Sequence, residues 1–391
     1  MKIDFNNTEV AFISKSNADM NKAYVLFKTI ANPGIVKMGN KMLGLALAIH
    51  FPINWAVKPT IYQHFVGGES IKSCNAAIRK LEDYNVKAVL DYSVEGKEEA
   101  EDIKLAFEET LRAIRNAGQD PNIPFAVFKP TAMGRSLVLE KASMGAPMNE
   151  LEKEEEAQFR NRLQELCKTA FECNIPILID AEHSWYQNII DEETNKGMAL
   201  YNKEKAIVFN TFQMYRHDRL AYLAESYQMA VDGNYFLGAK FVRGAYMEIE
   251  RERAGIKGYE DPIQPDKEAT DRDYNAALKY CIDHIDRITI FNGTHNEYSS
   301  QYLIDLMEEK GLAKDDNRCW FSQLYGMSDH ISFNAAAAGY NVAKYLPYGP
   351  VKHVMPYLLR RAEENTSAQG QSGRELTLIM LEKNRRKEQS N

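Results

Sequence analysis

The sequence predicts an α/β chain built on a (βα)8, TIM-like barrel with an N-terminal α-helical arm. From about residue 84 onward, short apolar or β-branched runs alternate with longer charged segments of helical period, which is the pattern of βαβ units. Eight such runs occur, each followed by a segment able to form a helix, and eight strand–helix units are what a closed barrel requires. The stretch from 84 to about 366 also fits the roughly 250 residues, plus insertions, that such a barrel takes.

In chain order, residues 1–83 show helical patterning without strand runs and read as an arm or cap. Its most apolar window, 42–55 (MLGLALAIHFPINW), contains Gly44, His50, Pro52 and Asn54 and falls short of the ~20 residues of a membrane-spanning helix, so a buried helix is expected. The strand runs are KAVLDYSVE (87–95), IPFAVFKPTAM (123–133), IPILIDAEHS (175–184), AIVFNTFQMY (206–215), FLGAKFVRGAY (236–246), ITIFNGTHN (288–296), CWFSQLYGM (319–327) and NVAKYLPYGP (341–350). The acidic run Glu150 to Glu156 opens the helix after the second strand and reads as a solvated face. From Gly370 the tail carries an amphipathic stretch, Leu376, Leu378, Ile379 and Leu381, then Arg385, Arg386 and Lys387, expected as a surface helix with a frayed basic end. The domain reading is therefore arm 1–83, barrel 84–369 and tail 370–391.

Composition narrows the function. With 45% hydrophobic and 26% charged residues the chain is ordinary globular protein, and its formal charge of −7 argues against a general nucleic-acid binder while leaving room for a local basic pocket. Five scattered cysteines without CxxC suit neither a disulfide framework nor a zinc ribbon, and read as reduced intracellular thiols. MKIDFNNTEVAF lacks the basic and apolar regions of a secretory signal, and its acids suit a transit peptide poorly, so a cytoplasmic location is expected.

Neither GxxxxGK[ST] nor GxGxxG follows any strand, so a nucleotide cofactor must be held another way. Polar groups gather at the C-terminal ends of the runs: Lys129, Asp180, Gln213, Lys240, Arg243, Thr294, His295 and Tyr345. Barrel active sites lie at those ends. Strand ends are always more polar than strand middles, which explains about half of this set but not Lys129 between Phe128 and Pro130, since a buried lysine needs an anionic partner or a function. Asp180, Glu182 and His183 with His295 could ligate a metal, yet barrel metal sites recruit several strand-end histidines, and ionic or hydrogen-bonding roles are favoured; no metal is expected. Lys129 could instead be a Schiff-base lysine of an aldolase barrel. In the last helix, YLLRRAEEN (357–365), adjacent arginines point ~100° apart, so Arg360 and Arg361 could clamp a carboxylate, with Glu364 at i+4 holding Arg360 and Tyr357 at i−4 from Arg361. A salt-bridged surface helix is the bland alternative, weakened because this helix directly follows the eighth strand.

These segments, namely IDAEHS (179–184), TFQMY (211–215), KFVRGAYMEIERERA (240–254), GTHN (293–296), FSQLYGM (321–327), YLPYG (345–349) and YLLRRAEEN (357–365), together resemble the proline dehydrogenases. The resemblance spans the barrel and is to the monofunctional, FAD-dependent enzymes, since no segment could be an aldehyde dehydrogenase domain. It implies a distorted (βα)8 barrel that binds FAD without a Rossmann domain, and oxidation of L-proline to Δ1-pyrroline-5-carboxylate by hydride transfer to flavin N5, the first step of proline catabolism to glutamate. It further implies a membrane quinone as electron acceptor and peripheral contact with the inner membrane face.

By resemblance, Lys129, Arg360 and Arg361 hold the substrate carboxylate. Leu324, Tyr246, Tyr345 and Tyr357 pack the ring, and Glu95 gates the first arginine. Asp180 is the strand-three catalytic carboxylate, followed by Ala181 near the flavin. Gln213, Val242, Gly244, Ala245, Thr294, His295 and Asn296 contact the flavin. In many bacterial members arginine occupies the position of Lys240 and bonds flavin N5, whereas here arginine stands at 243, so the resemblance leaves Lys240 and Arg243 both open for that role. Hydroxyproline oxidation and a Schiff-base aldolase using Lys129 are the alternative activities.

Overall fold

The computed structural model describes residues 2–32, 34–39, 57–94, 98–366 and 372–389, with 363–366 and 372 described by backbone alone. Eight strands form in the eight expected runs: β1 (Val86–Tyr92), β2 (Phe125–Phe128), β3 (Ile177–Ile179), β4 (Val208–Gln213), β5 (Leu237–Val242), β6 (Ile288–Gly293), β7 (Cys319–Leu324) and β8 (Val342–Tyr348). They close a barrel in chain order. The helices among the described residues include α1 (Thr8–Ala11), α2 (Asn17–Ile30), α3 (Ile71–Glu82), α4 (Ala100–Ala117), α5 (Ser136–Met144), α6 (Glu150–Glu172), α7 (Gln187–Tyr201), α8 (Arg219–Asp232), α9 (Met247–Lys257), α10 (Lys267–Asp283), α11 (Glu297–Glu309), α12 (Asp329–Ala337), α13 (Met355–Thr366) and α14 (Ser372–Gln389). The expected buried helix at 42–55 lies outside the described residues.

By packing, the chain divides into two compact units: Met1–Lys2 with 96–322, and 3–95 with 323–391. The first holds β2 to β6, most of β7, and α4 to α11. Its strands pair in parallel register, with Leu178 beside Phe209, Thr211 beside Lys240, and Lys240 beside Phe291. Phe125 of β2 meets Phe209 of β4 and Phe291 of β6 edge-on, at ring separations of 5.7 and 4.9 Å. These strands are not neighbours, so their rings can meet only inside the barrel, as one of its side-chain layers. That fixes the parity of every residue above: Lys129, Thr211, Gln213 and Lys240 share the inward face with the aromatic layer, and Asp180, two residues beyond Leu178, does so too.

Outside β4, Asn210 donates to Asp191 of α7, and Arg219 of α8 bonds both Asp191 and Asp218. This network locks two helices onto one strand. The acidic run of α6 departs from its expected solvated character at Glu152, which is buried: Asn149 and Glu152 close a capping box, and Glu152 pairs with Lys141. The run indeed opens a helix, but the shorter α5 intervenes between it and β2.

In the second unit, β1 pairs in parallel with β8. The arm residues Phe12, Met20 and Phe27 pack in one apolar cluster with Phe65, Leu358 and the tail residues Leu378 and Ile379. The tail is therefore a packed helix on its Leu378 face, while Leu381 remains half exposed. Its basic end is not frayed: Arg386 bonds Glu382 and the carbonyls of Phe12 and Lys15, and Arg385 bonds Glu382 and Glu9.

Gly238 marks the tightest strand contact. A Cβ there would lie 2.4 Å from the Val208 carbonyl oxygen and 2.7 Å from the Phe209 ring. Gly238→Ala should therefore cost about 1–3 kcal/mol by overpacking, whereas Gly255→Ala on α9, where nothing lies within 4 Å, should be neutral or slightly stabilising. Urea midpoints compare them, and equal midpoints would refute the contact.

Candidate active site

The inward parity of β2, β3 and β5 brings three charges together at their C-terminal ends. Lys129 Nζ lies 3.1 Å from Asp180 Oδ2, and Lys240 Nζ lies 2.5 Å from Asp180 Oδ1. Lys240 and Asp180 are buried and Lys129 nearly so. One carboxylate thus bonds both ammoniums, one through each oxygen. The short strands β2 and β3 end just before Lys129 and Asp180, and Pro130, which cannot continue a ladder, turns the chain into a 3-10 turn after Lys129.

The loop after β5 takes the other basic residue elsewhere. Arg243 Nε donates to Asp271 of α10 at 2.7 Å, Nη1 to Thr294 Oγ1 at 2.6 Å and Nη2 to Ser299 Oγ at 3.0 Å, with the guanidinium over the Tyr274 ring. Burial raises the Asp271 carboxyl, but Lys267 and Arg243 outweigh it and hold its pKa below the ordinary range. Gly244 sits at φ 136°, and a Cβ on it would penetrate the Tyr215 ring at 2.4 Å, so only glycine fits. The strand pairing continues past β4 and β5, with Met214 N–H donating to Val242 O and Tyr215 N–H to Arg243 O. Gly244 and Ala245 are exposed, and Val242 and Tyr246 half-buried.

Beside this cluster, Gln213 Nε2 donates to the Glu182 carbonyl at 2.5 Å, and the Glu182 carboxylate accepts from Thr131 N–H and Oγ1 at 2.8 and 2.6 Å. His183 stacks on Trp185 at 4.2 Å and meets Tyr246 at 4.3 Å. Glu250 of α9, fully buried, accepts from Ser184 N–H and Oγ and lies 3.8 Å from His183 Nδ1. Thr294 is buried, His295 and Ala181 half-buried, and the Asn296 side chain caps α11 by accepting from Ser299 N–H. Among the described residues, no group of three or more His, Cys, Asp or Glu side chains could hold a metal ion, and no helix is long and apolar enough to cross a membrane.

In the second unit, Tyr345, Tyr357 and Arg361 are buried, and Arg360 and Leu324 half-buried. The Arg361 guanidinium lies 5.2 Å from the Tyr357 ring centre, which is the i−4 neighbourhood the helix predicts. Glu95 and the Glu364 side chain lie outside the described residues. The sequence reading missed Asp271 and Glu250 as supports, whereas the hydrogen-bonding role favoured for Glu182 is the one it has, toward Thr131.

Residues 74–374 match the family model described as proline dehydrogenase. The chain is 35% identical over 323 residues to the carbapenem antibiotics biosynthesis protein CarD of Pectobacterium carotovorum, covering 82% of this chain and 83% of that one. It is 39% identical over 265 residues to human mitochondrial proline dehydrogenase 1, covering 66% and 44%. Against the hydroxyproline dehydrogenase of Xenopus laevis it is 30% identical over 414 residues, covering 96% and 88%. Among solved structures, proline utilization A from Bdellovibrio bacteriovorus, inactivated by N-propargylglycine, shares the fold with a TM-score of 0.73 at 19% identity, over 92% of this chain and 38% of that one. The chain thus spans less than half the length of some of these proteins.

Glu250 supplies a pH test. Burial pulls its carboxyl upward, but the nearby His183 ring and the hydrogen bonds from Ser184 outweigh that and hold its pKa below the ordinary glutamate value. A depressed folded pKa adds stability above the unfolded pKa of ~4.3 that is lost as pH falls through the folded value. Glu250→Gln should therefore be less stable than wild type at neutral pH, with the gap closing below about pH 4. Urea midpoints across pH measure it, and a gap that stays constant would refute the ionic role.

Proposed function

The chain belongs to the proline dehydrogenase family, and from that premise we propose that it oxidises L-proline to Δ1-pyrroline-5-carboxylate with FAD as the hydride acceptor. The observation that carries this reading is the interior cluster of Lys129, Asp180 and Lys240: a charged, buried strand-end site suits an anionic substrate and an electron-accepting ring together.

The donor set fits a flavin. Lys240 supplies an inward ammonium and Gln213 an amide, and the exposed Gly244–Ala245 loop offers backbone where glycine alone fits against Tyr215. Gln213, Val242, Gly244, Ala245, Thr294, His295 and Ala181 would hold the cofactor, with Asn296 supporting them through its cap on α11. Bound FAD would supply a two-electron acceptor for the hydride. Because Arg243 is already bonded to Asp271, Thr294 and Ser299, we assign the position nearest the reacting nitrogen to Lys240 and give Arg243 the role of bracing the loop.

Lys129, Arg360 and Arg361 bind the proline carboxylate, and Leu324, Tyr246, Tyr345 and Tyr357 pack its ring, with Glu95 and Glu364 acting on the arginines. Asp180 orients both lysines and keeps them charged. The surrounding cations lower the pKa of the bound substrate ammonium, so the neutral amine that drives hydride loss is populated without a dedicated base. Residues 84–369 form the catalytic barrel, 1–83 the arm and 370–391 the tail. Electrons pass to a membrane quinone from a cytoplasmic protein with peripheral membrane contact. A Schiff-base role for Lys129 is disfavoured by its ion pair with Asp180, which stabilises the ammonium rather than the free amine a nucleophile needs.

Purified protein should carry flavin absorbance that bleaches on adding proline, and absence of flavin, or borohydride trapping of a carbonyl substrate on Lys129, would overturn the reading. Arg360→Met and Arg361→Met should each lower kcat/KM for proline by roughly ten- to a hundredfold and weaken the preference for proline over pyrrolidine, which lacks the carboxylate. Variants that keep the wild-type preference would return α13 to a salt-bridged surface helix. Proline should also outpace 4-hydroxyproline, because Tyr345 crowds a C4 hydroxyl; equal turnover would remove Tyr345 from the pocket.

A further inference from the structure

The second unit contains a cavity of about 800 Å³ that the proposed reaction does not use, within the size range of small-molecule sites. Part of its lining is charged. Lys15, just before α2, and Lys344 of β8 both bond Asp329 at the start of α12, at 2.9 and 2.8 Å. Tyr325 and His64 line the cavity as well and feel the charges of Lys15 and Asp329. Apolar wall comes from Val25, Leu26, Ile30, Ile35 and Val36, and Val25 and Ile35 are 62% and 43% exposed, so the cavity opens along this wall.

The hydrogen-bond inventory of the charged lining is uneven. The Lys344 ammonium is used up on Asp329 and the carbonyls of Met327 and Leu324. Lys15, by contrast, is bonded among the described residues to Asp329 alone, although an ammonium has three donors. His64 Nε2 lies 2.9 Å from the Gly326 carbonyl, which places its proton there and leaves Nδ1 as an acceptor. Burial drives the His64 pKa down to about 4, so the ring is neutral. Two ammoniums against the Asp329 carboxylate favour an oxygen acceptor, and the nearby Glu375, whose carboxyl is raised by burial, tempers any excess charge.

We propose that this cavity binds an amphiphile whose apolar body lies along the α2 wall and whose oxygen head accepts N–H bonds from Lys15. A quinone carbonyl and an acyl-chain carboxylate share this chemistry. The proposal rests on the cavity alone and stands apart from the assignment of proline as substrate.

Calorimetric titration of the full chain with a short-chain ubiquinone and, separately, with decanoate tests it. At least one should bind at one site per chain; the quinone alone marks a carbonyl head, decanoate alone a carboxylate head. Lys15→Met should weaken binding by about tenfold or more. Val25→Glu, on an exposed wall position that folding does not depend on, should weaken it comparably without altering the melting temperature. Neither probe binding, or both variants binding as wild type does, would overturn the proposal.

Discussion

The Asp180 carboxylate, shared between Lys129 and Lys240, is the interaction on which the barrel mouth depends. An ammonium buried alone at these strand ends would carry a desolvation cost of several kcal/mol and would shed its proton instead. One carboxylate pairs with both ammoniums there and favours their charged forms. Charges held in such a setting are screened little by water and act strongly on their surroundings.

The rest of the first unit holds those three side chains still. Their strands share one inward parity, and the aromatic layer of Phe125, Phe209 and Phe291 fixes how closely the strands approach. On the outer side, the Asp191 network ties α7 and α8 to β4. At the strand ends, the Thr131–Glu182–Gln213 chain and the Glu250–Ser184 bonds hold the loops after β2, β3 and β4 against α9. A charged site needs such support, because a misplacement of about an ångström can cost a hundredfold in rate.

The strands were legible because a barrel strand must be apolar on both faces, and such runs stand out between charged helices. Lys129 announced itself by the same logic: an ionisable residue inside an apolar run demands a partner, and the structure supplies Asp180, as the pairing argument requires. What sequence did not reveal came from partners on elements whose rotation it leaves undetermined. Asp271 stands on a surface helix in a string of charges, and nothing local distinguishes it from the exposed Arg272 beside it. Glu152 misled for the converse reason, since its capping box and Lys141 draw one member of an acidic run inward.

The lysines of the strands show how much parity decides. Lys240 and Lys344 look alike in sequence, each a lone cation between apolar residues near a strand's end, and both are buried. Lys240 is in register with Thr211 and Phe291, on the inward face, and meets the carboxylate of another strand. Lys344 bonds Asp329 of a helix and the carbonyls of Leu324 and Met327, one residue out of phase with Tyr345. The first joins the inner ends of β3 and β5 at the candidate site; the second joins β8 to its covering helix. A one-residue shift along a strand reverses the side a residue faces, so the same residue type becomes site or scaffold according to its phase with the aromatic layer. The contacts of Phe125 with Phe209 and Phe291 give that phase, and the phase then sorts the polar strand residues into site and scaffold.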